Sequence, residues 1–436
     1  MIVLSGAALV LPDRILSPGT LVVDDGRIAE IRPDTAQTGA HSPFAFHGHY
    51  IVPGFIDVHV HGVAGIDTLD GPGCDNEAGD ARGPIESIAA HLPRYGVTAF
   101  CPTTVACAPA ELRSVLDQVR RARTTSASRA ARVLPAHLES NFINPEYAGA
   151  QPAGCLRSPQ TARGSDGSRG SDGSRGSRRS RGSEGAEGTE WSGEDILAEI
   201  ERATPDVGII TLAPELDGAL DLIRALSARG HRVSLGHSGA TYEEALAGIA
   251  AGAKHATHLF NRMPPLNHRA PGLAGAVLQS DEIAAEIICD GVHVHPALVR
   301  TAIAAKRPSH VFAITDGTSV SGLPQGSRGR LGGRPIVAGR SSAVLLDGVD
   351  ATIAGSTQTM DRVFQFLVGQ IGLSLVDAVM LCATTPAREL GLVGHGVLAP
   401  DAVADLVVLD ANFSVVQTYV AGELVYSRNT AASPSV

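Results

Sequence analysis

Eight times along the middle of this chain a short apolar stretch gives way to a polar turn and then to a segment of helical period. The stretches are IVPGFIDVHVH, GVTAFCPTT, ARVLPAHLE, VGIITLAPE, HRVSLGH, KHATHL, AAEIICDG and HVFAITDG, with helical segments such as APAELRSVLDQVRRAR and DGALDLIRALSARG between them. Strands that alternate with helices pair in parallel, because a parallel return needs a crossover. Eight such units predict an α/β chain closed into a (β/α)8 TIM-like barrel, whose functional groups gather at the C-terminal ends of the strands. One helix start is readable locally, since Thr241 with Glu244 three residues on forms a capping box ahead of EALAGIAAGA. That sets His237 at the end of the fifth strand and His258 at the end of the sixth.

The two chain ends have another texture. MIVLSGAALV and GTLVVDDGRIAEIRP alternate around Asp25-Gly26 as a hairpin would, and ADLVVLDANFSVVQTYVAGELVYS repeats the pattern near the C-terminus. We expect a small β-sandwich domain built from both ends, residues 1–50 and 396–436, around a barrel over 51–395. Within that barrel region, residues 161–190 form a Gly/Ser-rich run with no apolar residue large enough to pack. Such a run cannot offset its ordering entropy, and a disordered insertion is expected.

Charge and apolar patterning exclude several classes of partner. The formal net charge is -10, which argues against nucleic acid, since phosphate backbones are held by clustered Lys and Arg. Nowhere does an apolar run approach the roughly 20 residues that span a bilayer, and the first residues lack the basic and apolar regions of a signal peptide. A cytoplasmic enzyme with no membrane partner is the expectation. Six cysteines are scattered without a C-x-x-C pair, so a thiolate metal site is not indicated.

The chemistry lies in what the strand ends carry. His59 and His61 end the first strand, Glu139 the third, His237 the fifth, His258 the sixth and Asp316 the eighth. His293 and His295 follow the seventh. Period-2 alternation within PGFIDVHVHG would put Ile56, Val58 and Val60 on one face and Asp57, His59 and His61 on the other. H-x-H alone is a weak pattern, but five strands of one barrel delivering His and carboxylate to one mouth predict a divalent metal site. A bound metal lowers the pKa of water from 15.7 towards ~7, and a neighbouring carboxylate such as Asp316 can move the proton. No G-x-S-x-G elbow offers a serine nucleophile, and GSRGRLGG lacks the G-K-[ST] ending of a phosphate loop.

The stretches PGFIDVHVHG, HLES with INPEYAGA, LAPE, SLGHSGATYEEA, THLFNRMPPLNHRAPGLAGA, DGVHVHP, ITDG and AGSTQTMD resemble the amidohydrolase superfamily, in particular its amino-sugar-phosphate deacetylases. The likeness covers essentially the whole chain apart from the Gly/Ser run. By matching positions it implies that Glu139, His237 and His258 are the principal metal ligands, that His59 and His61 are a pair for a second metal, and that Asp316 is the general base and acid. It implies substrate contacts from Asn261 and Arg262, whose backbone N–H groups would meet a phosphate, from the phosphate-binding Arg269 and from His293. One or two divalent ions per subunit are implied, zinc first, with iron, cobalt or manganese as alternatives. The implied reaction cleaves the acetamide of N-acetylglucosamine 6-phosphate to glucosamine 6-phosphate and acetate, in a homodimer whose arginine crosses the interface. N-acetylgalactosamine 6-phosphate, or another amide, is the alternative substrate. Two departures touch the substrate shell: Ser140-Asn141 follow Glu139 where the family has Gly-Pro, and Gln151 stands where it has a carbonyl-polarising histidine. Gln can donate a hydrogen bond but cannot become cationic.

Overall fold

All eight apolar stretches form strands: β1 Phe55–Val60, β2 Val97–Thr104, β3 Ala136–Glu139, β4 Val207–Leu212, β5 Arg232–Leu235, β6 His255–Ala256, β7 Ala284–Ile288 and β8 Val311–Ile314. The structure, a computed structural model, describes residues 1–34, 45–71, 82–125, 129–159, 191–347 and 351–428. Cys74 and the expected insertion at 161–190 lie outside the described residues. Hydrogen-bonded neighbours run in chain order from β1 to β8, every pair parallel. The barrel is nearly closed, its ends joined at the mouth by a Val60–Gly317 bridge and by the Thr315 hydroxyl, which donates to the buried Asp57 carboxyl at 2.6 Å.

Helices cover the outside for the reason their spacing suggests. In the helix Pro109–Thr124, Leu112, Val115, Leu116 and Val119 recur at helical intervals and are buried against the barrel. The capping box is present as read: Thr241 Oγ1 accepts from Glu244 N–H at 3.2 Å, and the Glu244 carboxylate accepts from Thr241 N–H at 2.8 Å.

The simple alternation expected for β1 is not what the strand does. Ile56 and Val58 join the barrel-interior cluster with Cys101, Ile209 and Phe312, whereas Phe55 and Val60 join the cluster between barrel and helices. Asp57 turns to Thr315. The ladder to β2 slips between Asp57 and Val60, so the phase changes within the strand and both His59 and His61 reach the interior. A bulge of this kind re-aims side chains at barrel rims.

Both chain ends contribute to one mixed sheet of seven strands, in the order 423–427, 415–420, 406–409, 50–53, 2–10, 15–24, 27–33. Only the pairing of Ile2–Val10 with Tyr50–Pro53 is parallel. Asp25 and Gly26 both take positive φ, 45° and 72°, as a two-residue turn matching strand twist requires. The sheet has its own core of Leu4, Leu9, Leu21, Ile51, Leu406 and Tyr419. Strands Arg328–Leu331, Arg334–Ala338, Ser342–Leu345 and Ile353–Ser356, unassigned by the strand count, form a four-stranded antiparallel sheet. A bridge from Ser356 to Gly317 sets it beside the barrel mouth.

Candidate active site

The barrel delivers each polar side chain from a strand end. Glu139 is the last residue of β3; His237, His258 and Asp316 stand just beyond β5, β6 and β8 with φ of 48°, 30° and 48°. Non-glycine residues rarely adopt this left-handed conformation, and its cost, about 1–3 kcal/mol each, is characteristic of functional turns. Gly355 permits the last of these turns, since a Cβ there would lie 2.8 Å from the Asp316 carbonyl oxygen.

The side chains converge closely. Glu139 Oε1 lies 3.0 Å from His237 Nε2, 2.8 Å from His258 Nε2 and 3.6 Å from His59 Nε2, and Glu139 Oε2 lies 3.4 Å from His61 Nε2. Asp316 Oδ1 is 3.4 Å from both His59 Nε2 and His61 Nε2. The imidazoles also face one another, His59 Nε2 to His61 Nε2 at 3.2 Å and His237 Nε2 to His258 Nε2 at 3.1 Å.

Hydrogen bonding fixes which nitrogens can be donors. His237 Nδ1–H donates to the Tyr147 carbonyl at 2.9 Å, which leaves a lone pair on Nε2. His59 Nδ1–H donates to Glu286 Oε2 at 3.0 Å, with the same consequence. Lone pairs then face carboxylate oxygens and other imidazole nitrogens, an arrangement that calls for positive charge between them. The ligand atoms of Glu139, His237 and His258 lie within 4.8 Å of one another, as do those of His59, His61 and Glu139. This buried His/carboxylate set, with outer partners orienting the rings, suits one or two divalent cations.

Electrostatics carry the same demand. Burial alone would raise the Glu139 carboxyl, but the surrounding imidazoles of His237, His258 and His61 hold it well below the usual range. Burial likewise opposes ionisation of Asp316, and the neighbouring His59 and His61 overcome it and lower its pKa. Burial lowers His59. At His61 burial is outweighed by the Asp316 and Glu139 carboxylates, which push it up to about 10.

A cavity of about 450 Å³ opens over this cluster, lined by His61, Glu139, Gln151, His237, His258, Asn261, Arg262, His293 and Asp316. His59 is fully buried beneath it. Gln151 donates its Nε2–H to Glu139 and accepts from Ala106 N–H at 2.7 Å. His293 is anchored by Asp290, whose Oδ2 accepts from Nδ1 at 2.6 Å. The Asn261 N–H closes a turn onto the His258 carbonyl. Arg269 is exposed and does not line the cavity, and His295 caps the helix Pro296–Lys306 by accepting from Ala297 N–H. Ser140 and Asn141 are turned into the scaffold, donating to the carbonyls of Thr211 and of Cys107 and Cys155.

Two buried groups beside the cluster were not among the residues singled out from the sequence. Glu286 orients His59, and His137 bonds the Val58 carbonyl at 2.9 Å and Thr211 Oγ1 at 2.8 Å. Their signals were a lone acid inside AAEII and a histidine two residues before Glu139, hence on its face of β3.

Residues 50–425 match the amidohydrolase family. The chain is 33% identical over 431 residues to the N-acetylglucosamine-6-phosphate deacetylase of Rattus norvegicus, covering 96% of this chain and 91% of that protein. It is 30% identical over 423 residues to the N-acetylgalactosamine-6-phosphate deacetylase of Escherichia coli O157:H7, covering 97% and 98%. Among solved structures, a mutant N-acetyl-D-glucosamine-6-phosphate deacetylase of Mycobacterium smegmatis in complex with N-acetyl-D-glucosamine-6-phosphate aligns with a TM-score of 0.80 at 28% identity, over 98% of this chain and 99% of that one. On the family match across the barrel and the likeness of relatives along nearly their whole length, the chain belongs to the amidohydrolase family and to its amino-sugar-phosphate deacetylase branch.

Proposed function

We propose that the protein cleaves the acetamide of N-acetylglucosamine 6-phosphate, releasing acetate and glucosamine 6-phosphate, as a cytoplasmic step of amino-sugar catabolism. The observation that carries this reading is the position of Asp316. Its carboxylate is 3.4 Å from His59 and His61, in a cavity that also carries Asn261, Arg262 and His293.

Glu139, His237 and His258 would hold a divalent cation, with His59 and His61 as the pair for a second ion, and such a cation would supply Lewis acidity and lower the pKa of water towards neutrality. Zinc fits this donor set first, with iron, cobalt or manganese as alternatives. Asp316, held ionised by its histidine neighbours, takes the proton of the attacking water and passes it to the departing amine. Of the two backbone N–H groups expected to meet the phosphate, that of Asn261 is taken by the His258 carbonyl, which leaves that of Arg262, with its guanidinium, to serve the phosphate. His293, fixed by Asp290, holds the sugar, and Gln151 holds Glu139 in place. Arg269, exposed and outside the lining of this subunit's cavity, serves the phosphate of a neighbouring subunit in a homodimer.

The test is acetate release from N-acetylglucosamine 6-phosphate by metal-reconstituted protein beside its D316N variant. Release that falls at least a hundredfold in the variant supports the assignment; no release from metal-loaded protein overturns it. The galactosamine epimer is a second reading, favoured by the 30% identity to a deacetylase of that name. Comparing kcat/KM for the two epimers decides between them.

A further inference from the structure

At the opposite end of the barrel, the N-terminal ends of β4 and β5 and the residues leading into β3 and β6 border a second cavity of about 860 Å³. Its floor is apolar: Leu134, Leu390 and Leu392 close it against the interior core. Its wall carries Arg123, Arg132, Arg229, Arg232 and Lys254 and neither Asp nor Glu, although acids outnumber bases 45 to 35 in the chain.

Basic side chains at helix C-termini complement the helix dipole. That accounts for Arg123, in the last turn of Pro109–Thr124, and for Arg229, which caps Ala219–Ala228. It does not account for Arg132, Arg232 or Lys254, which lie at or just before strand starts. Arg123 and Arg132 are answered by Asp206 and Asp405, and Lys254 faces Glu282 at 3.8 Å. Arg229 and Arg232 have neither a hydrogen bond nor an ion pair from their guanidinium groups to any described residue. Between them His231, 5% exposed, donates Nδ1–H to the Val207 carbonyl at 3.0 Å, and its Nε2 is buried without a partner. Two guanidinium groups with no partner among the described residues and an open apolar floor thus meet in one cavity.

We propose that this cavity is a binding site for an organic phosphomonoester with an apolar body. The phosphoryl group sits between Arg229 and Arg232, whose planar forks match its oxygens. The apolar body covers Leu134, Leu390 and Leu392. The site stands apart from the cluster at the mouth and does not depend on the reaction proposed there.

The test is calorimetric titration of n-hexyl phosphate into the full-length protein and two variants. R229Q/R232Q alters the floor cavity; R262Q alters the mouth, where a phosphate could also bind. The expected result is one binding event that survives R262Q and weakens at least tenfold in R229Q/R232Q. Shortening the chain from hexyl to butyl weakens it roughly tenfold as well, as two fewer buried methylenes require. Binding unchanged in R229Q/R232Q, or lost in R262Q alone, overturns the proposal. Should the double variant lose its melting transition, R232Q by itself is read by the same criteria.

Discussion

Glu286 decides which nitrogen His59 offers to the cluster, because a carboxylate on Nδ1 commits the proton there and leaves Nε2 free. Glutamine at 286 can still accept from Nδ1–H but carries no charge to strengthen the ring as a ligand. We therefore expect E286Q to bind zinc roughly tenfold more weakly, at the low end of the 10–100-fold usual for such outer partners. Chelator competition measures this, and affinity within twofold of the parent would reduce Glu286 to a packing role. A second residue-scale prediction concerns Asp290 and His293. Burial disfavours the charged imidazole, but the hydrogen bond and charge of Asp290 raise His293 above its ordinary value. A raised histidine stabilises the fold fully below its unfolded pKa, about 6.5, and the gain is lost as pH rises through the folded value. D290N keeps the acceptor for the Val292 and His293 N–H groups but not the charge. The Tm gap between parent and D290N should be widest below about pH 6.5 and narrow above it; a gap that widens with pH would contradict the pairing. The ligand-like residues were legible because H-x-H, HLE and strand-end histidines recur at barrel spacing. Glu286 and His137 were not, since one polar residue inside an apolar strand acquires a meaning only when the barrel brings a partner across from β1.

Elements were legible where their own residues determine them. Strands buried on both faces read as apolar runs, and all eight were found that way. The phase change in β1 was hidden, because a bulge leaves the run apolar while changing which side each residue faces. The four-stranded sheet beside the mouth was hidden for another reason: its strands are only four or five residues long, too short for a period to show, although they bury Leu331, Ile336, Ala343 and Leu345 in a small core of their own. Local determination can be tested at the helix Tyr242–Ala251, whose first turn is tied by the Thr241–Glu244 box. T241A should lower unfolding free energy by about 1 kcal/mol and T241S should restore most of it. Denaturant midpoints report both, and equal midpoints for the alanine and serine variants would mean that packing alone fixes this helix.

On the scale of the whole molecule, the cluster joins parts of the chain far apart in sequence. Its side chains come from β1, from β3, from the turns after β5 and β6, and from the turn after β8, so a cation bound among them restrains most of the barrel's circumference at its mouth. An ion that binds the folded chain alone stabilises it by about 2.7 kcal/mol at a free concentration one hundred times its Kd. For a chain of this size that corresponds to roughly 3 °C in Tm. Chelation should therefore lower Tm by about that amount, and zinc should restore it in a concentration-dependent way. A simultaneous replacement of Glu139 by Gln and His237 by Asn separates metal linkage from chelator artefact, since it removes two ligands of one group. That variant should melt near the chelated parent and gain nothing from zinc. If it still rises with zinc as the parent does, the stabilising ion sits elsewhere, and the cluster at the mouth is not the site that restrains the barrel.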